Sequence, residues 1–305
     1  MPVHPVEPRE EQRETRQVPP AGHARRRLAL LAVTVALVLV ATVVLAAVRS
    51  QPAAVTELPR PTVAAAPVAE APDSLEDTIG SILDDAGDYR IGVALADVSG
   101  DAAKTFGDTD VFTAASTAKI ITAAAYYHLV ETGEASLDDP MGDYDAAFQM
   151  EAMVNQSNND SWLLLMDAIG YPRLIDYAAS IGISYDPEEN LLAPADMALV
   201  LKQLYAGNLL NQEHTAELLG YMQDTNNDDL IPAGSRAGVD VHHKYGEIGG
   251  ELHDAGLLTY RGSTFALVIY TENPDGNEGE DQAGLIRELT GAIEDELFTL
   301  TRAGK

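Results

Sequence analysis

A serine and a lysine three positions apart, Ser116 and Lys119, form the pair in this sequence best suited to nucleophilic chemistry. They lie in the segment FTAASTAK, residues 112–119, directly before an apolar run over 120–130 that predicts a buried helix. Positions i and i+3 of a helix share a face, so the hydroxyl and the amine would be neighbours. Burial lowers the pKa of a lysine, and a neutral lysine can take the proton of a serine nucleophile. The alternative is a helix-capping serine beside an ordinary lysine, because S-x-x-K also occurs by chance.

Two further clusters carry what such a pair needs, a proton relay and contacts for a substrate. The tripeptide SNN, residues 157–159, falls in a predicted loop between helices, where Ser157 can pass a proton to a leaving group and Asn159 can hydrogen-bond Lys119 or a substrate amide. The tripeptide KYG, residues 244–246, ends a predicted strand at a sheet edge. Its lysine can attract an anionic substrate group, and its glycine lets a substrate approach the backbone. The alternatives are a helix cap and a solvated lysine before a turn.

The remaining pattern predicts the elements that position these clusters. An apolar stripe after Ser74 predicts a helix, and 90–97 with 103–106 predicts a pair of strands joined by a turn. Gly and Pro then separate the predicted helices of a block over roughly 117–223, namely 148–154, 161–169, 172–180, 195–205 and 211–222. Strands over 240–245, 254–260 and 264–271 and a helix over 281–302 follow. This order predicts an α+β fold with one antiparallel sheet of about five strands, flanking helices and an all-helical lobe.

The three motifs, in this order and on these elements, resemble those of the class A β-lactamase and penicillin-binding-protein superfamily of serine hydrolases. The resemblance covers about residues 74–302. It is carried by FTAASTAKIITAAAYY, MVNQSNNDSWLLLMDAIG, LLAPADMALVLKQLY and VHHKYGEIGGELHDAGLLTYRGSTFALVIYT. It implies a β-lactamase/transpeptidase-like fold, an acyl-serine mechanism without a cofactor, and a peptide, amide or ester substrate, such as a cell-wall peptide or a β-lactam.

The same resemblance assigns a role to each motif residue. Ser116 would be the acylated nucleophile, Lys119 its base, and Ser157 the proton relay. Asn159 would orient the substrate or Lys119, and Lys244 would support Ser157 and the substrate anion. Tyr245, Gly246 and Glu247 would contact the substrate, with the backbone N–H groups of Ser116 and Glu247 as the oxyanion hole. A catalytically silent binding or scaffold protein with the same fold is the alternative function.

Three positions depart from the family pattern. Asn158 replaces an aspartate at a position that varies among penicillin-binding relatives. Tyr245 replaces the usual Thr or Ser that helps to hold a substrate carboxylate. The Ω loop before Pro194 contains Glu188, Glu189 and Asn190, but their spacing does not match the E-x-x-L-N pattern of the deacylating glutamate. We therefore expect solvated glutamates and no efficient β-lactamase activity.

The N-terminal quarter has a different composition. Residues 1–27 are polar and rich in Pro and Arg, which predicts a disordered tail, and 28–48 are 21 residues without a charge, enough to cross a bilayer. Arginines before this span place the tail in the cytoplasm and the body outside the cell. Residues 49–73 predict a Pro/Ala-rich linker to the hydrolase domain, 74–305. A cleaved signal peptide is the alternative to the anchor.

Charge and composition exclude several other functions. Residues 1–50 carry seven Arg and four Glu, whereas 51–305 carry 12 basic and 44 acidic residues. So acidic a body would repel nucleic acid. Cysteine is absent, which excludes disulfides, a thiol nucleophile and cysteine metal sites. The histidines at 242, 243 and 253 match no zinc spacing, so we expect them to serve in strand packing and no metal to be bound.

Overall fold

The computed structural model describes residues 74–100, 102–276 and 280–303. The predicted tail, membrane span and linker, residues 1–73, lie outside this described part. Within it, no helix combines the length and apolar character that crossing a bilayer requires.

A five-stranded antiparallel sheet forms the centre of the described chain, with strand order β2-β1-β10-β9-β8. The first two strands and the last three come from opposite ends of the body, as predicted, and pair through β1 and β10. The predicted boundaries agree with the structure to within about three residues. The strands are β1 Arg90–Asp97, β2 Lys104–Gly107, β8 Asp240–Ile248, β9 Glu251–Tyr260 and β10 Ser263–Glu272.

The helices agree with the predicted bounds to within about two residues, except for the short helix Ile231–Gly234, which was not predicted. Ser74 caps the first helix in a reciprocal capping box with Asp77, and Gly133 in the left-handed conformation ends the second. The helices are α1 Leu75–Asp85, α2 Lys119–Thr132, α3 Ala146–Val154, α4 Asn159–Ile169, α5 Tyr171–Ser180, α6 Pro194–Tyr205, α7 Gln212–Tyr221, α8 Ile231–Gly234 and α9 Glu280–Ala303.

The block over 117–223 also contains short strands, so the expectation of an all-helical lobe was incomplete. A ladder pairs β4 Pro140–Met141 with β5 Tyr144–Asp145. A second ladder joins β3 Phe112–Thr113, β7 Leu191–Leu192 and β6 Tyr185–Asp186. Strands of two residues are too short to show an alternating pattern, which is why the sequence did not predict them.

Two hydrophobic cores cover the two faces of the sheet, and β1 contributes to both. Ile91, Val93 and Leu95 pack in a cluster with residues of α1 and α9. Ala94 and Ala96 pack on the other face with α2 and the helical block. A strand buried on both faces has a continuous apolar sequence, as predicted for 90–97. The helix that follows Ser116 is thereby held between the sheet and the other helices.

Candidate active site

Ser116 lies in a 3₁₀ turn, Ala115–Ala118, and the α-helix proper begins only at Lys119. Ser116 and Lys119, which were expected to share a helix face, therefore belong to a 3₁₀ turn and to the first position of the α-helix. In a 3₁₀ turn the side chains at i and i+3 eclipse each other, so the serine hydroxyl and the lysine amine lie on the same side of the turn. The Nζ of Lys119 lies 2.9 Å from the Oγ of Ser116.

The backbone before Ser116 is strained and is held by Asn190. Ala115 has φ of 48°, a left-handed conformation that costs an alanine about 1–2 kcal/mol. The Ala114 N–H donates to the Asn190 carbonyl at 2.7 Å, and the Asn190 Nδ2 donates to the Ala115 carbonyl at 3.0 Å. The loop that carries Asn190 thus holds the backbone on both sides of the strained Ala115, at the start of the 3₁₀ turn that contains Ser116, hereafter the nucleophile turn.

A buried pair of hydroxyl groups, from Thr117 and Tyr270, joins this turn to the central sheet. The Thr117 Oγ1 donates to the Ala114 carbonyl at 2.6 Å and lies 2.6 Å from the phenol oxygen of Tyr270 on β10. Since the single threonine proton is used on the carbonyl, the tyrosine donates to the threonine. His253 on β9 lies 2.9 Å from the Thr113 carbonyl and stacks on the Tyr270 ring. Strands β9 and β10 therefore fix the position of Ser116.

Lys119 is completely buried among oxygen acceptors. Besides Ser116, its Nζ donates to the Ser157 carbonyl at 2.8 Å and to the Asn159 Oδ1 at 2.8 Å, with the Ser157 Oγ at 3.2 Å. An ammonium has three protons, so these four contacts use all of its donors. Burial lowers the pKa of Lys119 to about 8. The amine is therefore poised to exchange a proton with either serine hydroxyl near neutral pH.

The second motif is divided between a left-handed residue and a helix start. Ser157 has φ of 56°, which turns its carbonyl and its hydroxyl towards Lys119. Asn158 caps α4 by accepting from the Ser161 N–H at 2.9 Å. The sequence predicted Asn159 in the loop, but it is the first residue of that helix. The helix start therefore holds the amide that contacts Lys119.

Trp162, which lies outside the three motifs, also contacts Lys119. It is half-buried, its ring centroid lies 5.0 Å from the Lys119 Nζ, and its indole N–H donates to Thr122 Oγ1 at 2.9 Å. The available signal was its spacing, because a residue three positions after Asn159 shares the same helix face.

The third motif places a second buried lysine on the outer strand of the sheet, as predicted, but β8 continues to Ile248, so the motif lies inside the strand rather than at its end. Lys244 has no exposed surface, and its Nζ donates to the Tyr245 carbonyl at 3.1 Å and lies 4.1 Å from the centroid of the Tyr245 ring. Lys244 was expected to support Ser157, but among the described residues no hydrogen bond joins these two side chains. Burial, assisted by the nearby charge of Lys119, lowers the pKa of Lys244 to about 7.

Gly246 brings β8 against the nucleophile turn. A Cβ at this position would lie 3.0 Å from the Ala114 carbonyl oxygen and 3.0 Å from the backbone nitrogens of Ser116 and Thr117. The His243 N–H points away from β9 and donates to the Met222 carbonyl at 2.7 Å. Backbone N–H groups along a strand alternate in direction with a period of two residues. The N–H of Glu247, four residues after His243, therefore also points away from β9. The two N–H groups predicted for an oxyanion hole, those of Ser116 and Glu247, therefore belong to segments in direct contact.

The two glutamates of the Ω loop are exposed, as predicted. The backbone N–H groups of Glu188 and Glu189 donate to the Asp186 carboxylate. In the described residues, no carboxylate forms a hydrogen bond with Ser116 or Lys119. The same residues also hold no group of three or more metal-ligating side chains arranged for a metal ion.

Comparison with known proteins shows which family the chain resembles. The sequence model described as the beta-lactamase enzyme family matches residues 74–149 and 142–297, about three quarters of the chain. No curated protein matches the sequence.

Several solved structures share the fold at low sequence identity. A PBP-A variant, solved as an acyl-enzyme complex with penicillin G, is 22% identical with a TM-score of 0.66, over 74% of this chain and 96% of that chain. A beta-lactamase from Xanthomonas campestris pv. campestris is 21% identical with a TM-score of 0.67, over 73% of this chain and 98% of that one. An ancestral (GNCA) class A beta-lactamase is 23% identical with a TM-score of 0.67, over 73% and 99%.

Proposed function

Since the chain belongs to the beta-lactamase enzyme family, we propose that it is a serine hydrolase that forms an acyl-enzyme at Ser116. The observation that carries the proposal is the single buried amine shared by two serines, Lys119 at 2.9 Å from the Ser116 Oγ and 3.2 Å from the Ser157 Oγ. A neutral lysine in this position takes the proton of the nucleophile and can return it through the second hydroxyl.

The proposed acylation follows from these contacts. The Oγ of Ser116 attacks the carbonyl carbon of an ester or amide while its proton passes to Lys119. The developing oxyanion accepts hydrogen bonds from the backbone N–H groups of Ser116 and Glu247. As the bond to the leaving group breaks, Ser157 delivers a proton to that group. Asn159 keeps the Lys119 amine in position at 2.8 Å.

We propose that hydrolysis of a β-lactam acyl-enzyme is slow. Deacylation needs a base that activates water. Glu188 and Glu189 are exposed, and neither is among the described hydrogen-bond partners of Ser116 and Lys119. The test is hydrolysis of a chromogenic cephalosporin by residues 73–305, for which we expect turnover far below about 10 per second. Turnover at or above that rate would contradict the proposal.

A catalytically silent binding protein is the second candidate, and the Tyr245 ring that covers Lys244 favours it. A fluorophosphonate probe separates the two candidates because it reacts with an activated serine without needing a substrate anion site. Labelling that is lost in Ser116→Ala supports the hydrolase, whereas a folded protein that no acylating or phosphonylating probe labels supports the silent protein.

We further propose that the enzyme is anchored in the cell membrane by residues 28–48, with the hydrolase domain outside the cytoplasm. The support is the run of 21 uncharged residues, preceded by Arg25-Arg26-Arg27. The substrates would then be peptides, amides or esters outside the cytoplasm, cell-wall fragments among them.

A further inference from the structure

The charged groups nearest to Ser116 are two lysines that solvent does not reach. Lys119 is used by the two serines and Asn159, as described above. Lys244, the group expected to attract a substrate anion, has no exposed surface. An anion can form a direct ion pair with this ammonium only if whatever covers it moves away.

Tyr245 covers Lys244. Its ring centroid lies 4.1 Å from the lysine Nζ, and its own carbonyl accepts a hydrogen bond from the same Nζ at 3.1 Å. The ring is half-buried and packs against the hydrophobic cluster on the α1 and α9 side of the sheet, which holds it in place. Such a cation–π contact is stronger when the cation is desolvated, as Lys244 is here.

The other buried lysine beside Ser116, Lys119, is already hydrogen-bonded to Ser116, Ser157 and Asn159, and the protein as a whole is strongly acidic. The chain carries a formal net charge of −29, and the residue that follows Gly246 on β8 is an exposed glutamate, Glu247. Burial also lowers the pKa of Lys244 to about 7, so only part of its population is cationic at neutral pH. A carboxylate entering beside Ser116 would therefore meet an acidic protein and a covered, partly neutral amine.

We propose that Tyr245 determines specificity by closing the anion position beside Ser116. Ser116 is then acylated by donors with an uncharged leaving group in preference to donors whose leaving group carries a carboxylate. This inference rests on the proposed acyl-serine function and adds the class of substrate. In the step concerned, the Ser116 Oγ–acyl bond forms, the bond from the acyl carbon to the leaving group breaks, and the serine proton leaves through Lys119 to the leaving group or to water.

Two matched thioesters test the proposal. Both carry the hippuryl acyl group; one has mercaptoacetate as its leaving group, and the other has mercaptoacetamide, which has the same shape without the charge. Released thiol is measured with a disulfide reagent, and the protein adds no background because it has no cysteine. A salt concentration of about 0.5 M screens the long-range repulsion from the acidic surface, so that the contacts beside Ser116 dominate the comparison.

We expect kcat/KM for the amide-bearing thioester to exceed that for the carboxylate by about tenfold in residues 73–305. Tyr245→Thr uncovers Lys244 and should shift this ratio about tenfold towards the carboxylate. Tyr245→Phe keeps the ring over the lysine and should leave the ratio unchanged.

A wild-type preference for the carboxylate, or a Tyr245→Thr ratio equal to that of the wild type, would overturn the specificity proposal. If Tyr245→Thr does not fold, the wild-type ratio decides alone. Failure of the proposed function itself gives a different result, because neither thioester would then release thiol faster with the wild type than with Ser116→Ala.

Discussion

At the scale of single residues, the state of Lys119 controls the proposed chemistry. Its amine is fully buried, and its nearest partners are neutral oxygens of Ser116, Ser157 and Asn159 rather than a carboxylate. No negative charge in this set offsets the lost solvation of the ammonium, and burial therefore lowers the pKa of Lys119 to about 8.

The acylation rate should therefore rise with pH. Lys119 must be neutral to accept the serine proton, so below its pKa of about 8 the rate should rise about tenfold per pH unit and then level off. Second-order labelling by a fluorophosphonate, measured between about pH 6 and pH 9.5, checks this. A rate that stays constant over that range would show that Lys119 is not the base.

The sequence predicted the motif residues but not their immediate neighbours. The predicted order of helices and strands was correct, and it brings together the side chains of the first two motifs, Ser116, Lys119, Ser157 and Asn159. Trp162 lies outside the motifs, and an aromatic residue on an apolar helix usually packs in the core, so the pattern alone does not single it out. The cover over Lys244 depends on a side-chain rotamer of Tyr245, and no sequence pattern specifies a rotamer.

At the scale of elements, the contact between β8 and the nucleophile turn sets the geometry of the site. Gly246→Ala should leave the fold intact but move the strand, because its Cβ would lie 3.0 Å from three backbone atoms that cannot move independently. We expect acylation to fall at least about tenfold, since the oxyanion donors are displaced.

The matched control for Gly246→Ala is Gly80→Ala, where an added Cβ has no neighbour within 4 Å. Gly80 lies inside α1, so alanine should raise stability by up to about 1 kcal/mol and leave acylation unchanged. Comparable labelling of Gly246→Ala and the wild type would contradict the assigned contact.

A buried histidine clamps the loop between α7 and α8 to the sheet. His243 on β8 places Nδ1 2.9 Å from Asp254 on β9, and its Nε2 lies 3.1 Å from both Asp228 and Thr225 of that loop. Burial opposes its protonation, but Asp254 and Asp228 outweigh burial and raise the pKa of His243. On its own strand, the neighbouring cation is Lys244.

The clamp should make stability depend on pH. Because the folded pKa is raised, its contribution is fully present below the ordinary histidine pKa of about 6.5 and is lost as pH rises through the folded value. His243→Gln should lower the free energy of unfolding by about 1.5–3 kcal/mol at low pH and by less at high pH. Urea denaturation at about pH 6 and pH 9 measures both values.

The exposed His128 on α2 supplies the control for this prediction. His128→Gln should change stability little at either pH. A His243→Gln deficit that is the same at both pH values would show that the clamp does not depend on protonation.

Element boundaries were predictable where a strong local signal marked them, such as Pro194 at the start of α6 and Gly207 just after its end. The small ladders near Met141 and Leu191 were not predictable, because a strand of two residues is too short to show alternating hydrophobicity. The 3₁₀ turn before Lys119 depends on distant contacts with Asn190 and Tyr270, which a local pattern does not contain.

At the scale of the whole molecule, the contrast between a basic N-terminal segment and an acidic body suggests opposite sides of a membrane. The full chain should sediment with membranes and resist alkaline extraction, whereas a chain lacking residues 1–48 should be soluble. A full chain that is recovered in solution with a new N-terminus after residue 45 would instead support the cleaved signal peptide.

The most direct test of the central claim is the intact mass of residues 73–305 after reaction with a fluorophosphonate. We predict one adduct per chain, located by peptide mapping on Ser116, unchanged in Ser180→Ala and absent in Ser116→Ala. No adduct on folded wild-type protein, or an adduct that persists in Ser116→Ala, would contradict the assignment of Ser116 as the nucleophile.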